Sequence, residues 1–163
     1  MEVQLRVGFL DDAPSIADYY HRCWLAAFLP VLDREVAERM EPSMWLELFR
    51  DRLSTGSPMS TAVAVRDGVV VGHVNVQGHD LVHLFVDPDH QGSGIGRRLL
   101  AHGEQLIADG GHSDAELHTR VGNERALGLY ASAGWQLTDR LVHSAHDGVQ
   151  YDEHVLIKQL AGE

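Results

Sequence analysis

The feature that most constrains this chain is a glycine-rich turn between an apolar run and an amphipathic stretch. Residues 81–86 are β-forming, Gly92, Gly94 and Gly96 alternate in the turn, and helical spacing begins at Ile95. Glycines let a backbone approach a ligand closely, and a helix N-terminus adds unpaired N–H donors and the positive end of its dipole. The pattern therefore predicts a phosphate-binding site between a strand and a helix.

Two common phosphate-binding motifs do not fit this turn. A P-loop requires a glycine followed by Lys-Ser/Thr, and no such pair follows here. The dinucleotide fingerprint requires a third glycine three positions after the second, where this chain has Arg97. The structural alternative is an ordinary tight strand-to-helix turn, which needs fewer than three glycines.

The rest of the sequence predicts one mixed α/β domain. An Asp67-Gly68 pair predicts a hairpin, and a polar turn around Asp147-Gly148 is expected to join the last two strands. No repeat or linker divides the chain, so we expect residues 1–163 to form a single domain, with helices flanking one mixed sheet of about six or seven strands. The pattern predicts strands over 3–7, 62–66, 69–76, 81–86, 115–121, 135–141 and 153–160, and helices within 15–53, interrupted by Pro30 and Pro42, over 95–108 and over 123–133.

Composition narrows the possible partners. The formal net charge of −11 repels nucleic-acid backbones and weakly favours a cationic amine or basic peptide. The apolar runs are too short to span a bilayer and the N-terminus lacks a basic-then-apolar leader, so we expect a cytoplasmic protein with no membrane partner. Cys23 is the only cysteine, which excludes an internal disulfide and a cysteine-based zinc cage, and we expect it to be buried. His79 and His83 share a strand face by parity, but without a third ligand they predict no metal site.

The glycine-rich turn resembles a known signature. Gln91-Gly92-Ser93-Gly94-Ile95-Gly96 is similar to the Gln/Arg-x-x-Gly-x-Gly/Ala motif of the GNAT superfamily of acetyltransferases. Residues 123–135 resemble that family's later Asn-x-x-Ala-x-x-x-Tyr-x-x-x-Gly-Phe segment, with Trp135 in place of phenylalanine. The resemblance implies a GNAT fold and an enzyme that moves the acetyl group of acetyl-CoA directly to a primary amine of a small molecule or peptide, without a metal.

The resemblance also implies where acetyl-CoA would lie. Backbone amides from Gln91 to Arg97 would bind its diphosphate, while Leu84, Phe85 and Val86 would pair their backbone with the pantetheine arm. Arg97 and Arg98 are candidates for balancing phosphate charge, with a solvated surface role as the alternative. Asn123 matches a family residue that contacts the cofactor, with a plain helix cap as its alternative. The backbone N–H of Val86 is the candidate for polarising the thioester carbonyl.

Similarity to the family gives Tyr130 the role of general acid. Tyrosine titrates near ~10 and a thiol near ~8.5, so the phenol can protonate a departing thiolate; a core tyrosine is the alternative. His118 and Asp80 are candidate general bases, because two branches of the family have a glutamate at one or other of these positions, and water chains serve other members. Histidine titrates near ~6.5, which ranks His118 first.

Two further functions stay open: a non-catalytic acyl-CoA-binding regulatory module, and the same fold with another acyl donor. Acceptor identity is expected to depend on segments 15–53 and 143–151. Trp24, Phe28 and Trp45 are candidate pocket residues, although aromatic residues at helical spacing usually belong to a core. The family includes monomers and homodimers, so either state is compatible with the resemblance.

Overall fold

The computed structural model describes residues 2–30, 32–146 and 149–160 and has the predicted alternation of strands and helices. The helices are α1 (Ala13–Phe28), α2 (Arg34–Arg39), α3 (Leu46–Leu53), α4 (Ile95–Asp109) and α5 (Glu124–Ser132). The strands are β1 (Gln4–Val7), β2 (Ser60–Arg66), β3 (Val69–Gln77), β4 (Asp80–Val86), β5 (Asp114–Arg120), β6 (Gln136–His146) and β7 (Val149–Gln159). None of the described helices combines the length and apolar character that a bilayer crossing requires.

All seven of these strands form one sheet, in the order β1-β2-β3-β4-β5-β7-β6. Neighbours are antiparallel except β4 and β5, which are parallel. The predicted mixed α/β class with six or seven strands is therefore confirmed. The last two strands are longer than predicted, and the polar turn predicted around Asp147-Gly148 lies outside the described residues.

Helices cover both faces of the sheet because its strands bury side chains in both directions. Along β2, Ala62 and Ala64 pack with α4, whereas Val63 between them packs with α1 and α3. Leu99 of α4 is almost fully buried in the core on one face of the sheet, the α4 core, and Phe49 of α3 is almost fully buried in the core on the other face. Each such side chain contributes about 1.5–3 kcal/mol through removal of apolar surface from water.

The parallel pair β4 and β5 is joined over only two positions. Asp80 lies opposite Glu116 and Leu81 opposite Leu117, after which the strands part. The β3–β4 register also shifts, because Asn75 faces His83 while Val76 faces Leu81. A bulge of this kind bends and twists a strand locally. The result is an opening between the carboxyl-terminal halves of β4 and β5.

The same register shift shows that one prediction was wrong, namely that His79 and His83 share a strand face. His79 lies before β4, with its ring near that of His112, and the irregularity falls between it and His83. His83 instead stacks on Tyr20. Period-two alternation therefore does not place the two histidines on one strand face. Within the described ranges, no group of three His, Cys, Asp or Glu side chains is arranged to hold a metal ion.

Candidate active site

The opening between β4 and β5 is a cleft of about 610 Å³, within the size range of small-molecule sites. Its walls come from the parted strands, from α1 and α3 on one side of the sheet, and from α5 on the other. The predicted site residues that line it are Tyr130, His118, Asp80, Leu84, Phe85 and Asn123. The glycine-rich turn lies next to it, where β4 ends. The structure therefore brings together residues that are up to 50 positions apart in sequence.

The turn from Gln91 to Arg97 presents a row of backbone donors. No described residue accepts a hydrogen bond from these seven N–H groups, and the first helical bond at this end of α4 runs from Arg98 to the carbonyl of Gly94. Gly92 and Gly94 have φ of +79° and +83°, and no atom lies within 4 Å of where a Cβ would stand. This open cradle of amides fits a diphosphate. The positive φ values also mean that the turn itself needs glycine at these two positions.

The Gln91 side chain connects the turn to its surroundings. Its Nε2 donates to the carbonyl of Val86 at 3.0 Å, and its Oε1 accepts from Nη1 of Arg125 at 2.6 Å. It therefore links the end of β4 to α5. Arg97 is exposed and donates to Ser132, whereas Arg98 donates to the backbone carbonyl of Val3. That bond gives Arg98 a structural partner just before β1 and argues against the phosphate role considered for it.

The backbone N–H of Val86 is directed away from β3. Asp87 donates its N–H to the carbonyl of Val71 on β3 at 2.8 Å. Successive N–H groups along a strand point to opposite edges of that strand. The N–H of Val86 consequently points away from β3, towards the gap that β5 leaves. Its carbonyl accepts from Gln91 and from the thiol of the buried Cys23. Val86 itself is not among the residues that line the cleft, which begins at the neighbouring Phe85.

Tyr130 is both a core residue and a cleft residue. Its ring packs in the α4 core, yet the side chain also lines the cleft. Burial raises the pKa of its phenol to about 12, so the hydroxyl stays protonated at neutral pH. The hydroxyl makes no hydrogen bond to another described residue, whereas the backbone carbonyl of Tyr130 accepts from Ala133 and Trp135. Tyr130 can therefore hold a proton facing the cleft.

The two candidate bases both lie next to Glu116, His118 by a hydrogen bond and Asp80 by strand register. His118 Nε2 lies 2.9 Å from Oε1 of Glu116, which is opposite Asp80 in the register and also accepts from Arg140 at 2.7 Å. The hydrogen bonds from His118 and Arg140 lower the pKa of Glu116, so it stays a carboxylate. When His118 is neutral, Nε2–H donates to this carboxylate and Nδ1 is the basic atom. Asp80 is exposed and lies 3.4 Å from His79.

Aromatic residues form the wall on the α1 side. Trp24 and Phe28 are buried in the core and also line the cleft, with ring centroids 4.6 Å apart. Tyr151 of β7 extends this wall, with its ring 4.9 Å from Phe28. Trp45 packs in the same core but is absent from the cleft lining, and its Nε1–H donates to His21. The N-terminal helices and the β7 segment thus both contribute to the cleft.

Among the cleft residues that sequence reasoning missed are Arg52, His83 and Arg120. Arg52 follows Arg50 and Asp51, so it resembles part of an exposed charged face. The available signal was its spacing, because it lies three residues after Phe49 and four after Leu48, both on the apolar face of α3. Arg120 lies at the end of β5, with its guanidinium 5.6 Å from the ring of Phe28.

Known proteins resemble this chain in sequence over part of its length. The profile of the Acetyltransferase (GNAT) family matches residues 14–135. Peptidyl-lysine N-acetyltransferase YjaB of Escherichia coli is 36% identical over 86 residues, covering 52% of this chain and 53% of YjaB. Mycothiol acetyltransferase of Clavibacter sepedonicus is 42% identical over 53 residues, or 32% of this chain and 17% of that protein.

A solved structure extends the fold similarity to nearly the whole chain. PaiA N-acetyltransferase from Thermoplasma acidophilum, in complex with coenzyme A, superposes with a TM-score of 0.77 at 14% identity, covering 98% of this chain and 99% of that one. At that identity the likeness concerns the fold. The sequence matches to YjaB and mycothiol acetyltransferase cover about half or less of those relatives' lengths.

Proposed function

Because this chain belongs to the GNAT family of acetyltransferases, we propose that it transfers the acetyl group of acetyl-CoA directly to a primary amine. One observation carries the proposal: the parted strands β4 and β5 connect a cradle of free amides to a cleft that contains Tyr130 and His118. A phosphate anchor beside a cleft with a proton donor and a proton acceptor suits a phosphorylated acyl carrier. The relatives named above are themselves called acetyltransferases, and PaiA was solved with coenzyme A.

The cofactor would lie along β4 and the turn that follows. The amides from Gln91 to Arg97 would hold the diphosphate, and the positive end of α4 would favour its charge. The backbone of Leu84, Phe85 and Val86 would pair with the pantetheine arm in place of the missing β5 partner. Asn123 caps α5 by accepting from Ala126, and it also lines the cleft, so a contact to the arm is compatible with its capping role.

The chemistry would use three groups around the acetyl carbon. The Val86 N–H would polarise the thioester carbonyl, as a donor held where negative charge develops. His118, fixed by Glu116, would take the proton from the attacking amine through Nδ1. Tyr130 would return a proton to the departing thiolate, because its hydroxyl lines the cleft and carries a proton at neutral pH. Asp80 is the competing base, since it also lines the cleft and lies opposite Glu116 in the strand register.

The test combines binding with turnover. Calorimetry should detect uptake of coenzyme A, and a screen of amines should detect release of free thiol from acetyl-CoA in the presence of an acceptor. Binding without turnover on any amine would instead favour the regulatory acyl-CoA-binding module. Absence of binding by folded protein would refute the proposal as a whole. The cytoplasmic location, the single domain and the monomeric or dimeric state stay predictions.

A further inference from the structure

Arg52 places a positive charge on the α3 side of the cleft. Its Nη1 donates to Nδ1 of His83 at 2.7 Å and to Oδ1 of Asn75 at 3.3 Å. The guanidinium also lies 5.7 Å from the ring of Phe49. Asn75 is itself held by its bond to Thr61. These contacts fix the guanidinium at one orientation, with part of it facing the cleft.

The charge of Arg52 has no carboxylate partner among the described residues. Arg50, two positions earlier on the same helix, forms an ion pair with Glu47 at 2.9 Å. Burial lowers the pKa of Arg52, the expected effect of a cation held away from water without a counterion. A half-buried arginine is normally paired, because desolvating a lone charge is costly. A bound anion would supply the missing partner.

The free edge of Arg52 has the geometry for such an anion. Nε and Nη2 donate to no described residue, since both of its hydrogen bonds use Nη1. These two nitrogens form one side of the guanidinium fork, which matches the two oxygens of a carboxylate. The purely structural alternative is that Arg52 only ties α3 to β3 and β4. That role uses Nη1 and leaves the Nε and Nη2 edge without a function.

The rest of the cleft complements a positive amine and an apolar body. Asp80, Glu116 and Glu153 line the cleft and suit an ammonium group. The rings of Trp24 and Phe28, continued by that of Tyr151, form an apolar wall. An α-amino acid carries a carboxylate, an amine and an apolar side chain within one small molecule. Its size also suits a cleft of about 610 Å³ that must hold the acyl arm as well.

We propose that the acceptor is a small free amino acid with an apolar or aromatic side chain, and that Arg52 binds its carboxylate. This inference rests on the proposed acetyl transfer and names the acceptor class for it. The local chemistry outweighs the expectation from the net charge of −11, which favoured a cationic amine or basic peptide. Net charge acts over the whole surface, whereas the fixed cation lies inside the site.

The test compares matched acceptors that differ only in the carboxylate. Phenylalanine, tryptophan and leucine are assayed beside phenethylamine, tryptamine and isoamylamine, by thiol release from acetyl-CoA. We expect kcat/KM for the amino acids to exceed that of the decarboxylated amines. We expect Arg52→Met to lower kcat/KM for the amino acids by roughly ten- to hundredfold, because a charge-assisted contact is lost. For the plain amines, kcat/KM should stay within about twofold of the parental value. Arg50→Met, on the same helix, should leave kcat/KM unchanged for both acceptor sets.

Three results would overturn the inference. These are equal use of both acceptor sets by the parent protein, an equal loss on both sets in Arg52→Met, or a selective loss in Arg120→Met alone. If Arg52→Met does not fold, Arg52→Lys keeps the charge but not the fork and should weaken amino acid binding. Calorimetry of phenylalanine with protein saturated in coenzyme A provides a readout independent of turnover. Thiol release on plain amines only would refute this inference and keep the proposed function, whereas no thiol release on any amine would refute the proposed function itself.

Discussion

Substitution of Gly94 by alanine tests the amide cradle, and Gly111 provides a matched control. Gly94 has φ of +83° at the start of α4, and Gly111 has φ of +90° just beyond its end. At both positions a Cβ would meet no atom within 4 Å, so the folded state suffers backbone strain without a clash. The difference is that only Gly94 lies in the turn proposed to hold the diphosphate.

The expected loss of stability is the same for both variants. An L-residue in left-handed geometry costs roughly 1–2 kcal/mol, and the lower entropy of the unfolded alanine chain offsets about 0.4–1 kcal/mol of this. Each variant should therefore lose about 1 kcal/mol of unfolding free energy, which lowers Tm by about 2–4 °C for a chain of this size. Thermal unfolding without ligand measures this shared effect.

The expected effect of coenzyme A separates the variants. Ligand at 100 times Kd stabilises the parent protein by about 2.7 kcal/mol. The added methyl group would obstruct a charge-assisted contact of about 1.5–3 kcal/mol and raise Kd roughly ten- to hundredfold. At the same ligand concentration Gly94→Ala should then be stabilised by about 1.4 kcal/mol or less, while Gly111→Ala keeps the parental value. Parental coenzyme A affinity in Gly94→Ala, or an equal loss in both variants, would refute the reasoning.

Three further predictions address the proton-transfer groups and the core. Tyr130→Phe should lower kcat by about 10²-fold or more with coenzyme A affinity within about twofold, as measured by thiol release and calorimetry; parental turnover would contradict the general-acid role. In pH–rate profiles, His118→Ala should lose the acidic limb and Asp80→Ala should keep it, whereas the reverse pattern would identify Asp80 as the base. Burial lowers the pKa of His73 to about 3, so it stays neutral in the folded state while the unfolded chain binds a proton below about pH 6.5. Stability should therefore fall as pH drops from about 6.5 towards 3, and His73→Phe should reduce this slope in denaturant titrations by about 1 kcal/mol per pH unit; an unchanged slope would contradict the assignment.

The glycine turn and the order of elements could be predicted because their signals are local. Alternation over 3–7 and helical spacing over 95–108 reflect which side chains a strand or helix presents to a core. The structure has strand β1 and helix α4 at these segments. Gly92 and Gly94 indicated a special backbone, and both have positive φ. Such features depend on the few residues around them.

The cleft could not be predicted from those signals because it depends on the register between distant strands. Only the tertiary structure parts β4 from β5 after two residue pairs and inserts the irregularity that breaks the parity of His79 and His83. The same holds for Arg52, whose neighbours in sequence are exposed charges but whose contacts are Asn75 and His83. By itself the sequence determined the strand, the turn and the helix that form the proposed phosphate anchor, since neighbouring residues set that backbone. The tertiary structure decided which charges and rings face the cleft, because those contacts join segments brought together only when the sheet assembles.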